Sequence, residues 1–422
     1  MRKYKVLLSA YACEPNRGSE PGIGWNWAIE IAKRGHFVYV LTRANNENVI
    51  FNFFKDRAKP ENIKFIYYDL PSWVLFFKKG TLGVNFYYFL WQLTSYCFIV
   101  KKQKLFPNEY KFDFVHHITF GVFRHVSLFY KLGIPFFFGP VGGGEELPNN
   151  LKRSFSVKYQ FIESIRELIN WFSKFNPFLL RMYSKTALIF CKTKETKNFI
   201  PPKFHDKSII SLEIGMLKEK INSTLNVYTN NPKLEFNILY VGRFLYWKGI
   251  DLAIDVISNL KNEYKINCKL TMIGQGNYLT HMNEKILKMN LNKDINIIDW
   301  IDQSELKSFY RKSNIFLFPS LHDSSGNVVL ESLSNGLPVA CLDLGGPSEI
   351  TNKKSSIITS THDKSHIQIV ESLARSIYEL YIDQEKLYKM KKESIIRASE
   401  FTWDKTIDKV YKTIESYMEN NN

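Results

Sequence analysis

Apolar residues fall into two kinds of run along this chain, and clear examples of both lie between Ile315 and Ile350. Ile315-Phe316-Leu317-Phe318 is apolar without a break, the pattern of a strand buried on both faces in a parallel sheet. It stops at Pro319-Ser320. From Gly326 the apolar positions recur at helical spacing, through Val328, Val329, Leu330 and Leu333, until Gly336 and Pro338 end the helix. A second unbroken run, Val339-Ala340-Cys341-Leu342, leads into Gly345-Gly346. The stretch predicts a strand–helix–strand unit whose ligand-facing edge is the carboxyl end of its strands.

The same alternation extends in both directions. Strands are predicted at 4–12, 37–41, 112–115, 134–138 and 188–193, then at 238–243, 270–276 and 295–300. Residues 13–25 read as a glycine-containing loop before a helix through Trp27, Ile29 and Ile31. Residues 155–185 read as helical, with Phe161, Ile165, Leu168 and Trp171 spaced for one face. Asp302 is expected to cap a helix, and residues 384–398 to form a helix with a solvated face. Residues 198–235, with Pro201-Pro202, Gly215 and Asn230-Asn231-Pro232, read as a linker. The class is α/β, with two doubly wound Rossmann-like domains at 1–205 and 206–400 and a C-terminal helix at 401–422.

Candidate chemistry collects at the predicted strand ends. Arg243 and Lys248 lie five residues apart after a strand and before a helix, a fork and a point charge suited to a diphosphate. At about 4 Å and an effective dielectric near 20, each such charge pair contributes about 4 kcal/mol before desolvation. Asp323 precedes its helix and Glu331 stands eight residues later. An anion would sit on backbone N–H groups around Gly326, Asn327 and Val328, with the carboxylates accepting from sugar hydroxyls. The plainer alternative makes Asp323 a helix cap and Glu331 an exposed helical residue. His116 and His117 end another buried strand, and the glycine run at Gly142-Gly143-Gly144 with Glu145 forms a loop at the same edge, on the acceptor side or as a simple tight turn.

Charge and aromatic content change the picture of the first half. Residues 1–200 hold 29 Lys and Arg against 14 Asp and Glu, whereas residues 201–422 hold 28 against 27. One basic half suggests that one domain meets an anionic surface, and the segregation argues against a nucleic-acid binder. Residues 65–100 contain 13 Phe, Tyr or Trp, against about five expected from the 15% average. Rings bordered by Lys78-Lys79 and Lys101-Lys102 suit the interface of an anionic membrane as well as a core, and those before Lys78 are expected to be the exposed ones. Gly80–Val100 is uncharged but too polar for a span, and Val6–Ala12 is too short for a secretory signal. Five scattered cysteines without a C-x-x-C pair favour a reducing compartment and offer neither zinc ribbon nor disulfide frame.

Taken together, these motifs resemble the group 1 family of retaining glycosyltransferases with the GT-B fold, of the bacterial surface-polysaccharide type. That family has two acids separated by seven residues, a small-Gly-x-Pro-Val strand and a Gly-Gly turn. Here they are Asp323 and Glu331, Asn335-Gly336-Leu337-Pro338-Val339 and Gly345-Gly346. It also has G-R-x-x-x-x-K-G, here Gly242 to Gly249, and a strand ending in Asp-x-x-His with a histidine nearby. The resemblance implies two domains facing across a cleft, braced by the returning C-terminal helix. It implies that Arg243 and Lys248 neutralise a leaving diphosphate, Asp323 holds sugar hydroxyls, Glu331 the ribose and His117, rather than His116, the sugar. The loop GSEPGIGW would bring Gly22 and Gly24 to the donor phosphate or acceptor, with Glu20 and, beyond it, Gly143 and Glu145 on the acceptor side.

The activity implied is transfer of a sugar from a nucleotide-diphosphate sugar to an acceptor hydroxyl with retention, with neither metal nor cofactor. The implied acceptor is a glycan or lipid-linked intermediate in polysaccharide or lipopolysaccharide assembly, at the inner face of the cytoplasmic membrane. No acid follows the second strand, and the glycine spacing is not G-x-G-x-x-G, both of which argue against a dehydrogenase. A nucleotide-sugar epimerase, a non-catalytic membrane scaffold and a soluble-glucan synthase remain as alternatives.

Overall fold

The computed structural model describes residues 2–221 and 235–421, so Asn230-Asn231-Pro232 of the expected linker lies outside the described residues. Contacts divide the chain into two units. The first comprises Met1–Gly144, Ile169–Ile214 and Trp403–Asn422, and the second Glu145–Leu168 and Gly215–Thr402.

The sheet of the first unit contains β1 (Lys5–Ser9), β2 (Phe37–Thr42), β3 (Ile63–Tyr67), β4 (Phe114–His117), β5 (Phe136–Val141), β6 (Leu188–Cys191) and β7 (Ser208–Ile210). They are parallel in the order β3-β2-β1-β4-β5-β6-β7. The second sheet contains β8 (Phe236–Val241), β9 (Cys268–Ile273), β10 (Ile295–Ile298), β11 (Ile315–Phe318), β12 (Val339–Leu342) and β13 (Ser356–Thr359), parallel in the order β10-β9-β8-β11-β12-β13. Each order reverses once, between β1 and β4 and between β8 and β11. Open parallel sheets bind ligands beyond the carboxyl ends at such a reversal, because the flanking helices leave on opposite faces there.

The unbroken runs became the fully buried strands β11 and β12 with the predicted bounds. Three strands escaped the sequence reading: β3, the three-residue β7, and β13, whose ends are Ser356 and Thr359. Because β7 pairs with β6 at the edge of the first sheet, that unit runs to Ile214 and not to 205. Glu145–Leu168 groups with the second unit, where Asn150 donates to the Thr361 carbonyl at 3.0 Å and the Glu163 carboxylate is buried. Helix Trp403–Asn420 belongs to the first unit. Its Glu415 accepts from Arg34 Nη2 at 2.9 Å and His36 Nε2 at 2.9 Å, and Thr406 donates to the Ile214 carbonyl.

The aromatic segment divides between core and surface. Tyr87, Tyr88 and Trp91 are buried in the core of the first unit, while Trp73, Phe76 and Phe77, just before Lys78-Lys79, are exposed. Residues 80–100 lie in helix Gly80–Leu105, and among the described residues no helix is long and apolar enough to cross a membrane.

Candidate active site

The loops after β8 and β11 carry the charged residues of the second unit. β8 ends at Val241, and Lys248 closes a short turn before helix Ile250–Asn262. β11 ends at Phe318, and Asp323 follows before helix Asn327–Ser334. These are the two central strands, so the reversal of the sheet is flanked by both loops. The structure brings their charges together: Lys248 Nζ lies 2.5 Å from Asp323 Oδ2, with both side chains largely buried. Arg243 is exposed, and its guanidinium has no partner among the described residues.

Asp323 does two things at once. Its other oxygen, Oδ1, accepts from the N–H groups of Ser325 and Gly326 at 3.1 Å each, closing the loop as an Asx turn closes on itself. The carboxylate does not cap the helix, whose N-cap is Gly326 without a side-chain cap; it closes the loop before it, and does so alongside the ion pair. Burial alone would raise this carboxyl, but the charge and hydrogen bond of Lys248 and the two N–H groups hold it below the ordinary range. One consequence corrects the sequence expectation: the Gly326 N–H is already spent on Asp323, so only Asn327 and Val328 open the helix with N–H groups lacking a carbonyl one turn back. The Gly-Gly turn has a packing reason. Gly345 sits at φ 58°, and a Cβ there would lie 2.4 Å from the Asp323 carbonyl oxygen. The Gly346 N–H donates to that same carbonyl at 2.7 Å. The turn after β12 thus supports the Asp323 loop from below.

Glu331 is placed elsewhere. It is half-buried, its Oε2 accepts from Tyr310 Oη at 3.3 Å, and desolvation raises its carboxyl. It lines a cavity of about 250 Å³ with Tyr310, Lys220, Ser304 and Asn335. A larger cavity of about 650 Å³ is lined by Asp251, His281, Lys285 and His366. Neither is lined by Arg243, Lys248 or Asp323.

Sequence reasoning missed the residue that joins the two loops. Glu163, from helix Val157–Ser173, is 1% exposed. Its Oε1 accepts from Tyr246 Oη at 2.6 Å and lies 3.2 Å from His322 Nε2. Tyr246 belongs to the loop after β8 and His322 to the loop after β11. Trp247 and His322 stack with ring centroids 5.2 Å apart. Burial would raise the Glu163 carboxyl, but His322, Tyr246 and Arg166 pull it down to about 2. The buried carboxylate therefore fixes the two segments that present Lys248 and Asp323.

In the first unit the predicted residues are spent mostly on structure. Helix Ser19–Lys33 begins before Gly22 and Gly24, so these are not loop positions. Both are buried, and a Cβ would lie 2.0 Å from the Arg17 carbonyl oxygen at Gly22 and 2.0 Å from that of Ala12 at Gly24. Their bareness admits the chain's own backbone. Glu20 Oε2 accepts from the Phe120 N–H at 2.9 Å. The Gly143 carbonyl accepts from Arg124 and Asn170, and Glu145 is buried.

His116 and His117 end β4 and are both buried. His116 uses both ring nitrogens, on the Gly139 carbonyl at 2.8 Å and on Tyr411 Oη at 3.3 Å. His117 uses one. Gln92 donates to Tyr88 Oη, which leaves the tyrosine proton for His117 Nε2 at 3.1 Å and places the His117 proton on Nδ1, where no partner stands among the described residues. Burial, with His116 and His125 near, pushes His117 down to about 3, so it is a neutral hydrogen-bonding group. Among the described residues, no group of three or more His, Cys, Asp or Glu could hold a metal ion.

The chain is similar to known glycosyltransferases in sequence and in fold. The family model "Glycosyl transferases group 1" matches residues 226–397. An uncharacterized glycosyltransferase of Methanocaldococcus jannaschii is 31% identical over 216 residues, covering 49% of this chain and 52% of that protein. The capsular polysaccharide biosynthesis glycosyltransferase CapH of Staphylococcus aureus is 27% identical over 169 residues, covering 39% of this chain and 45% of CapH. The chain spans between 33% and 59% of the length of the first curated relatives it matches. In fold it is similar to HepE of Anabaena in complex with UDP and glucose, with a TM-score of 0.57 at 14% identity over 98% of this chain and 100% of that one. Residues 226–397 thus resemble the group 1 glycosyl transferase family, and the fold is GT-B.

Proposed function

We propose that the protein is a retaining glycosyltransferase that moves a sugar from a nucleotide-diphosphate sugar to a hydroxyl of a lipid-linked or membrane-proximal glycan, in assembly of a surface polysaccharide or lipopolysaccharide. The observation that carries this reading is the Lys248–Asp323 pair at the reversal of the second sheet, with Arg243 uncommitted in the same loop. A diphosphate arriving there meets Arg243, Lys248 and the first N–H groups of helix Asn327–Ser334, which stabilise the negative charge that grows as the bond from sugar to phosphate breaks. Asp323, next to Lys248, is placed to accept from sugar hydroxyls. Glu331 lines its own cavity and takes the ribose.

The route is a front-face displacement. The acceptor oxygen attacks the anomeric carbon on the side the diphosphate leaves, and its proton passes to a phosphate oxygen of the departing nucleotide. The positive charge needed comes from side chains, so chelators leave turnover unchanged. His117 supplies its Nδ1–H to a sugar hydroxyl. A UDP-sugar is the first donor to try, since HepE is a structural neighbour seen with UDP and glucose. The capsular setting is suggested by the likeness to CapH. The exposed Trp73, Phe76 and Phe77 beside Lys78 and Lys79 would hold the first unit to anionic lipid on the cytoplasmic side.

A panel of nucleotide sugars tested by thermal shift identifies the donor, and NMR of the product gives its anomeric configuration. Inverted product would reject the front-face route. Donor consumed equally with and without acceptor would favour the epimerase, and no donor turnover with any sugar would favour the scaffold.

A further inference from the structure

Helix Val157–Ser173 and the turn after it are built inside out. In the part that belongs to the first unit, Asn170 is fully buried and Ser173 nearly so, and Asn170 accepts from Arg124 Nη1 at 3.0 Å. The large apolar side chains point the other way: Ile169, Trp171, Phe172, Phe175 and Phe178 are each 50 to 69% exposed. Trp171 holds Phe172 and Phe175 with ring centroids 5.0 and 4.9 Å away, so the rings form one cluster. A soluble surface seldom carries so much contiguous apolar area without something to cover it.

The charges around the cluster indicate what covers it. From Ile169 through Lys194 the chain has no acidic residue, while Lys174, Arg181 and Lys185 stand among or just beyond the rings. Arg181 and Lys185 are exposed, and Lys174 is half-buried over the Phe199 ring. A second copy of the chain is a poor occupant. A two-fold contact pairs a patch with itself, which would set these cations against their own images. A surface that is apolar beneath and anionic at its rim satisfies rings and cations together.

We propose that the segment Ile169–Lys185 is a lipid-contacting element whose Trp171, Phe172, Phe175 and Phe178 enter the headgroup region of an anionic bilayer while Lys174, Arg181 and Lys185 meet lipid phosphate. It lies on the membrane without spanning it. It rests on the reading above that the enzyme works at a lipid surface, and it adds a contact separate in sequence from Trp73–Lys79.

The test is flotation of the whole protein with phosphatidylcholine vesicles and with vesicles that also contain phosphatidylglycerol. The wild type should float with the anionic vesicles, less so in high salt. The variant Trp171→Ser/Phe172→Ser/Phe175→Ser/Phe178→Ser should lose roughly tenfold or more of that binding, with an unchanged Tm. The milder Phe175→Glu, at an exposed position, should lose a measurable part of it and keeps the test valid if the fourfold variant folds poorly. Variants that float like the wild type would overturn the proposal. So would a wild-type dimer in sedimentation that the same changes dissolve, since the cover would then be a second copy. Loss of binding only in Trp73→Ser/Phe76→Ser/Phe77→Ser would overturn it while sparing the membrane reading. No flotation of the wild type with either vesicle would overturn both while leaving donor turnover, measured without lipid, as a separate question.

Discussion

The carboxyl edges of the two sheets are the same kind of place in the same topology, yet they are furnished differently. The edge of the second sheet is ionic, with Lys248 against Asp323, the buried Glu163 carboxylate bonded by Tyr246 and His322, and Arg243 exposed. The edge of the first sheet near the strand reversal is neutral and hydrogen-bonded. There His117, Tyr88 and Gln92 form a buried chain, and burial pushes His116 and His125 down to about 4. An ionic edge suits a leaving diphosphate, whose charge grows during reaction. A neutral edge suits hydroxyl groups, which need direction more than field. The difference teaches that a shared fold sets where a ligand sits, while the protonation chemistry of a few loop residues sets what it is.

The sharpest way to break this contrast is Lys248→Ala. It removes the cation and leaves Asp323 buried beside two N–H groups. Turnover should fall by roughly 10²- to 10³-fold, and stability by about 3 kcal/mol for an unpaired buried partner. Steady-state kinetics and Tm report the two effects separately. Unchanged turnover with a lowered Tm would make the pair structural only.

Glu163→Gln comes next. The amide keeps the shape but loses the charge that binds Tyr246 and His322, so turnover should fall about tenfold with little change in donor affinity. The acid limb of stability should change as well. Glu163 is held at about 2 when folded against an ordinary 4.5. The wild type therefore has this stabilisation in full above about 4.5 and loses it as pH falls toward 2. The variant should lack that stretch of the curve.

Acid also separates the two edges. His116, His117 and His125 have folded values of about 4, 3 and 4, below the ordinary 6.5, because burial disfavours their charged forms. Their contribution is complete above 6.5 and declines as pH falls below it, by about 1.4 kcal/mol per pH unit for each histidine. On the second edge Asp323 and Glu163 give nothing up until pH drops below their ordinary carboxylate values, and only His322, also lowered by burial, is lost in the histidine range. Hydrogen exchange between pH 6.5 and 5 should therefore quicken more around β4, with three lowered histidines, than around β8 and β11, with one. Equal quickening would mean that the two edges are not electrostatically distinct. His117→Gln should flatten part of that acid slope and lower turnover only several-fold, because a neutral donor is exchanged for another.

What the sequence disclosed, and what it hid, follows from how local each feature is. The unbroken runs of β11 and β12 and the patterns holding Lys248 and Asp323 are written in adjacent residues, and they were read with their bounds. Strand β7 has three residues and β13 begins and ends in hydroxyl side chains, so neither presents an apolar run. Gly22 and Gly24 looked like loop because glycine weakens a helix, whereas here the close carbonyls of Arg17 and Ala12 require it. Glu163 could not be found, because its meaning lies in two loops more than eighty residues further on. The period of Phe161, Ile165, Leu168 and Trp171 was visible, but periodicity says that a helix has an apolar face and not which way the face turns.

The smallest expected effect separates the two roles of Asp323. Asparagine keeps an oxygen for the Ser325 and Gly326 N–H groups but cannot neutralise Lys248. Glutamate keeps the charge, yet its extra methylene carries the oxygens past the geometry that closes the loop, at a cost of about 1 kcal/mol, the usual worth of a hydrogen bond. If the ion pair matters most, Asp323→Glu should keep activity within several-fold with a slightly lowered Tm, and Asp323→Asn should lose far more activity together with about 3 kcal/mol of stability, because it leaves the Lys248 charge unpaired. The reverse order would mean that the loop's shape is what the site requires and that Lys248 acts on the diphosphate without help. Asp323→Ala removes both functions and sets the floor. Activity equal to that of the glutamate variant would take the side chain out of the reaction altogether, and the ionic edge would then rest on Lys248 and Arg243 alone.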